Sequence, residues 1–276
     1  MANVELEPLP LTTWRKIALG SWGHGGDPSV YGILELNAGK ILERQKRFAE
    51  RTGTKAPTIT AIVAAATAAV LRDHPQINGL IRWGRIYRRK TVTLFLQTAV
   101  DEHGQELSGV TIRDAEKKSL VDVVRELGEK ARAIRDGRDE NFKATKSAFK
   151  RIPAFLMRTL LNFVSFLTYT LNLDLHKIGI PRDAFGSVMI TSIGTLGLDQ
   201  AFAPLVPYSR VPLLLAVGAV KPSPVVVDGQ LAVAPLFKIC ATFDHRFIDG
   251  IHAAKMAKSL RKHLETDEGL DTLGLT

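Results

Sequence analysis

Cysteine is almost absent from this chain of 276 residues: Cys240 stands alone, so no internal disulfide framework can form. Its place inside the apolar run Leu236 to Phe243 marks it as a buried thiol, in keeping with a reducing compartment. Cysteine and histidine spacings of the kind that hold zinc are also missing, as is any internal repeat. The first residues, MANVELEPLPLTTWRK, lack the charged start and apolar core of a secretory signal, and the expected location is the cytoplasm. Basic residues are scattered, apart from Arg82, Arg85, Arg88, Arg89 and Lys90, and this disfavours nucleic-acid binding. What the chain does have is 45% hydrophobic residues, enough for a substantial core. Its formal net charge of +9 suits an anionic partner such as a nucleotide-bearing cofactor or a membrane surface, and equally a plain solvated basic surface.

Helical and strand periodicities alternate along the chain. A Leu- and Pro-rich arm leads through Thr12, Thr13, Trp14, Arg15 and Lys16 to a glycine-rich loop at Gly20 to Gly26. Tyr31 to Leu36 alternates as a strand, and Ala38 to Thr52 reads as a charged amphipathic helix. TITAIVAAATAAVLRDHP is an alanine-rich core helix stopped by Pro75. Ile81 to Tyr87 and Lys90 to Val100 read as two strands joined through Arg88 and Arg89. Ser119 to Arg135 is amphipathic, with Leu120, Val123, Val124, Leu127 and Ala131 on one face. The last third reads as strands at Ser187 to Ser192, Leu213 to Val220, Val225 to Val227 and Leu236 to Phe243, with a hairpin turn at Asp228 and Gly229. A closing helix, Ile251 to Glu265, carries an apolar line through Ile251, Ala254, Ala257, Leu260 and Leu264. The fold class expected is α/β, a two-layer sandwich of mixed sheet and helices.

One segment stands apart. Pro153 to Leu173, PAFLMRTLLNFVSFLTYTLNL, is apolar except for Arg158, Asn162 and a few hydroxyl residues. It admits three readings: a helix packed in the core or against another subunit, a helix lying on a membrane or binding an acyl chain, and a true span. The arginine and asparagine weigh against the span.

The chemistry is concentrated in DHRFIDG, Asp244 to Gly250, where the apolar run gives way to the closing helix. A strand that ends in a polar turn and feeds a helix holds a side chain at a cleft on a fixed backbone. His245 is the candidate general base, the plain alternative being a satisfied structural histidine. His24, His74, His103, His176, His252 and His263 show no pairing logic and read as surface or packing residues.

FDHRFIDGIHAAKMAKSLRKHLE resembles the end of the catalytic domain in the acyltransferase components of 2-oxoacid dehydrogenase complexes, whose fold is shared with chloramphenicol acetyltransferase. All five fixed positions of that family's DHRxxDG signature are present. VMITSIGTLGLDQAFAPLV, LLLAVGAVKPSPVVVDGQLAV, TAIVAAATAAVLRDHPQING and TTWRKIAL are similar to further segments of the family. Related enzymes carry HHxxxDG; Asp244 in place of the first histidine favours the dehydrogenase-complex branch. The chain departs from the family's usual proteins in two respects. It shows no lipoyl or subunit-binding domain, and a stretch at about 150–176 looks like an apolar helical insertion into a single catalytic domain spanning 1–276.

The resemblance implies acyl transfer between coenzyme A and a thiol, a dihydrolipoyl group carried on a separate protein, with His245 as base and without an acyl-enzyme. The absence of a GxSxG elbow fits that direct route. It implies Thr191 as oxyanion donor, with Ser192 as the neighbouring fallback, since a strand alternates faces. Asp249 is implied to order the turn by pairing with an arginine, for which Arg15 is the match, and Arg246 reads as structural. A homotrimer or a larger cage of trimers is implied as well, with His245 of one subunit facing Thr191 of the next. Two other functions stay open. One is acyl transfer to a hydroxyl or amine of a small or lipid-like acceptor, with the insertion lining an acyl pocket. The other is a non-catalytic trimeric or cage-forming scaffold that uses the insertion as an assembly or peripheral membrane contact.

Overall fold

In the computed structural model of the protein, the described residues are 2–8, 10, 27–53, 55–99, 107–136 and 153–276. The arm begins with β1 (Leu6–Pro8). It pairs with β4 (Arg85–Arg89), which in turn pairs with β3 (Gly79–Arg82), in a small three-stranded antiparallel sheet. The main sheet runs in the order β2 (Ser29–Asn37), β10 (Gln230–Asp244), β8 (Leu213–Val217), β7 (Val188–Ser192), β5 (Leu94–Ala99), β6 (Leu107–Ile112). β9 (Lys221–Val227) pairs with the first half of β10. β7 runs parallel to both β5 and β8, and the other pairings are antiparallel, so the sheet is mixed.

Helices α1 (Gly39–Thr52), α2 (Ile59–Asp73), α3 (Leu120–Arg135), α5 (Gly250–Glu265) and the short α6 (Asp267–Thr272) contribute to the main core with one face of this sheet. Leu34 and Leu36 of β2, Leu213, Leu215 and Val217 of β8, and Phe237, Ile239, Ala241 and Phe243 of β10 all turn to that face. Alanine dominates α2 because it lies against the sheet with nearly every side chain buried, where small residues permit close approach. On the opposite face the 193–212 loop packs over Met189, Leu214, Ala216 and Cys240, while Tyr31 and Ile33 of the edge strand stay half exposed. Mixed sheet and helices therefore form the expected α/β two-layer architecture.

Several local signals hold in the structure. Ser119 and Asp122 form a reciprocal capping box at the start of α3. Asp228 and Gly229 adopt positive φ (52° and 78°) between β9 and β10, as a tight hairpin turn requires. Three expectations need correction. The strand read over Ile81 to Tyr87 is interrupted at Trp83 and Gly84, whose φ values of 52° and 66° make a two-residue hairpin turn; Arg88 and Arg89 lie in β4 instead of linking strands. The buried line of α5 runs through Ala253, Met256, Leu260, His263 and Leu264, leaving Ile251 exposed, because His263 belongs to the apolar face.

The third correction concerns the apolar segment. Helix α4 (Ala154–Ser165) ends in a π-helical turn, Phe166–Thr170, and no helix among the described residues is long and apolar enough to cross a membrane. Nor is α4 a core helix: Phe155 is 79% exposed and Phe163 57%. Its C-terminal end is fastened to the arm. Asn3 Nδ2 donates to the Thr168 carbonyl at 3.0 Å, and the Asn172 side chain bridges both backbone groups of Val4. Beside it lies a buried ion pair between Arg89 and Asp183, with Tyr169 held against Asp183. Removing one partner of such a pair costs about 3–5 kcal/mol, since the other charge is left buried.

Candidate active site

β10 delivers the DHRFIDG turn to the end of the sheet. The His245 amide donates to the Pro28 carbonyl at 2.9 Å, and the amides of Phe247 and Ile248 close back on the Asp244 carbonyl at 3.0 and 2.8 Å. Phe247 and Ile248 are buried in the main core and pin the turn there. Half-buried His245 has its Nδ1 3.2 Å from the Ile248 carbonyl oxygen. A carbonyl only accepts, so this contact places a proton on Nδ1, and in the neutral ring Nε2 is then the acceptor nitrogen.

The flanking residues hold the turn's shape. Asp244 accepts from Arg246 through Nε (2.9 Å), Nη2 (2.7 Å) and the backbone amide (3.0 Å), a fork that raises the pKa of the guanidinium. Asp249 is the N-cap of α5: its Oδ1 accepts from the His252 amide at 3.0 Å and lies 2.8 Å from His252 Nδ1. His252 thus has a carboxylate partner that spacing alone did not show, and His176 has one in Asp174 at 2.8 Å. Arg15, matched to Asp249 by resemblance, lies outside the described residues, as do His24 and His103.

Thr191 falls on the sheet face of Met189, away from the helices, because Val188 and Ile190 turn into the main core; by the same alternation Ser192 shares the helix side. The structure does not bring Thr191 to His245 within one chain. Thr191 is opposite Ala216, which is opposite Cys240, and His245 lies five residues further along. At ~3.4 Å per residue that is about 17 Å along the sheet, in addition to two strands across it. Cys240 is 1% exposed and burial pushes its thiol up, which keeps it unreactive.

A cavity of about 620 Å³ opens beside the turn. Asp244 and Arg246, Leu80 and Ile81 of β3, the 204–212 loop, and Asn162 and Ser165 of α4 enclose it. Sequence reasoning had no signal for this site, whose walls, Asp27 to Ser29 included, come from five separated stretches.

Mixed sheet and one helical layer form a fold shared with chloramphenicol acetyltransferase. The structure of a chloramphenicol acetyltransferase superposes with a TM-score of 0.50 at 13% identity, covering 94% of this chain and 99% of that one. The cubic core of a pyruvate dehydrogenase multienzyme complex superposes with a TM-score of 0.63 at 22% identity, covering 94% and 91%. Within that class, the 2-oxoacid dehydrogenases acyltransferase (catalytic domain) family matches residues 24–150 and 182–270, and the chain belongs to it. Residues 151–181, which include α4, stand outside the match. Among curated relatives, the dihydrolipoyllysine-residue acetyltransferase component of the acetoin cleaving system of Bacillus subtilis is 26% identical over 276 residues, 98% of this chain and 58% of that protein. The chain spans about half the length of the curated relatives it matches.

Proposed function

We propose that this chain is an acyltransferase catalytic domain that moves an acyl group between coenzyme A and a dihydrolipoyl-type thiol on a separate carrier. The observation that carries this reading is the His245 tautomer, with the proton placed on Nδ1 by the Ile248 carbonyl, in a chain of the acyltransferase family. In this reaction Nε2 takes the proton of the attacking thiol and the thiolate adds to the thioester carbonyl. The Thr191 hydroxyl donates to the oxyanion, and collapse expels the other thiolate, which recovers the proton from His245. Arg246 and Asp249 hold the turn and the helix start, with Arg15 as the proposed further support of Asp249. The basic excess favours coenzyme A, without a particular lysine or arginine assigned to its phosphates.

Base and oxyanion donor, separated within one chain, meet only across copies. This favours a homotrimer or a cage built of trimers, and exposed Val226, Leu231 and Val233 on the β9–β10 hairpin are apolar surface suited to such contacts. We read residues 1–276 as one catalytic domain and α4 as its insertion, on the gap in the family match.

The test is coenzyme A release from a panel of acyl-thioesters with dihydrolipoamide as acceptor. His245→Ala should lower turnover by about 100-fold or more, the usual yield of a positioned base. No release across the panel, or full activity in His245→Ala, would remove this reading. A second reading, transfer to a hydroxyl or amine of a small acceptor, is favoured by the cavity that α4 helps to wall. A scaffold would assemble without turning over any thioester or acceptor.

A further inference from the structure

Helix α4 and the turn that ends it leave Phe155, Leu156, Phe163 and Phe166 exposed. At about 100° per residue these four share an arc of about 100°, with Thr159 between them. The β3–β4 hairpin extends this surface. Trp83, at its tip, is 61% exposed and stands edge to face with Phe166, ring centroids 6.3 Å apart, while Arg82 Nε fastens the hairpin to the Thr170 carbonyl at 2.7 Å. Tryptophan is rare at a left-handed φ and most of this residue meets water, so packing within the chain does not account for it. The charges around this surface are of one sign. No carboxylate side chain occurs between Asp73 and Asp101, a stretch with Arg82, Arg85, Arg88, Arg89 and Lys90, or between Glu140 and Asp174, a stretch with Lys143, Lys146, Lys150, Arg151 and Arg158. Arg88, Arg89 and Lys90 are answered by Glu7, Asp183 and Glu5. Arg82 and Arg85 beside the hairpin tip, and Arg158 on α4, form no ion pair with a described residue.

We propose that α4 and the Trp83 hairpin tip form one membrane-contact surface, which lies in the interface of a bilayer rich in anionic lipids. Phe155, Leu156, Phe163, Phe166 and Trp83 enter the boundary between headgroups and acyl chains, and Arg82, Arg85 and Arg158 meet the lipid phosphates. At ~1.5 Å per residue the 12 residues of α4 are about 18 Å long, too short to cross a bilayer and long enough to lie along its surface. An exposed tryptophan next to cations suits that boundary, where one part of the ring is apolar and its N–H meets water or phosphate. Charge decides between the possible occupants. A second copy of this face would set like charges against each other, whereas an anionic bilayer presents negative headgroups directly above hydrocarbon. The surface is separate from the histidine turn, and α4, which with its closing turn supplies four of the five apolar residues, stands outside the family match.

The test is flotation of the full chain with two kinds of vesicle, phosphatidylcholine alone and phosphatidylcholine with phosphatidylglycerol in equal parts. The protein should float with the anionic vesicles, bind the neutral ones at least tenfold more weakly, and detach as salt is raised. The double substitution Phe155→Ser with Phe163→Ser should weaken binding at least tenfold, through lost apolar burial. Arg85→Gln and Arg158→Gln should each weaken it about fivefold. Because all four side chains are exposed, the melting temperature should stay at the wild-type value, which separates lost contact from lost fold. The emission of Trp83, taken as the difference between wild type and Trp83→Phe, should move to shorter wavelength when anionic vesicles are added. Absence of flotation with either vesicle, binding untouched by the phenylalanine substitutions, or a Trp83 emission that does not move would each overturn the proposal. So would sedimentation in which the phenylalanine substitutions break up an oligomer while no vesicle is bound, a result that gives this face to a second copy of the chain.

Discussion

His263 lies in the buried stripe of α5, 8% exposed, and burial holds its ring below the ordinary histidine value, helped by the charges of Arg72 and Lys262 and opposed by Asp73. The folded chain therefore keeps it neutral, while the unfolded chain takes up a proton below about pH 6.5. Stability from this residue is complete above that value and is lost as pH falls toward the depressed folded pKa. The melting temperature should drop between about pH 7 and 5, and His263→Met should flatten that drop; equal slopes in the two proteins would remove the assignment. His263 also shows what residue type conceals. A histidine reads as polar, so the apolar line of α5 was placed one step round the helix. His245 was legible because its neighbours form a signature, but the group that fixes its tautomer is a backbone carbonyl, and no side-chain pattern announces that.

At the scale of elements, the start of α5 joins the proposed site to the core. Asp249 accepts the His252 amide as a helix cap, so Asp249→Ala should cost about 1 kcal/mol in denaturant unfolding, and Asp249→Asn, which can still accept, only a few tenths. An equal loss in both variants would mean that its charge, through His252 or an arginine, matters more than the cap. Helices and strands with strong periodicity were placed well from sequence, because each buries one face and the pattern repeats. The Trp83–Gly84 turn was missed because tryptophan is an unusual turn residue and only Gly84 hinted at it. The 153–173 segment was the hardest to read. Its apolar composition suits core, membrane or partner alike, and its anchoring depends on Asn3 and Val4, some 165 positions away.

For the whole molecule, the separation of Thr191 from His245 makes a direct prediction. Thr191→Ala alone should lose about 100-fold to 1000-fold in turnover, as removal of an oxyanion donor does. Co-assembly of Thr191→Ala with His245→Ala subunits should regain activity, since about one site in four then joins an intact base to an intact donor in a random trimer. Mixtures no more active than their parents would sink the site between subunits. The sequence by itself determined the α/β class, the DHRxxDG turn and the family, because periodicity and a signature are local and survive without coordinates. Only the tertiary structure decided that Thr191 and His245 stand at opposite ends of one sheet and that the end of α4 is fastened to the arm. Register and enclosure join residues far apart in the chain, and local pattern carries no record of such distances.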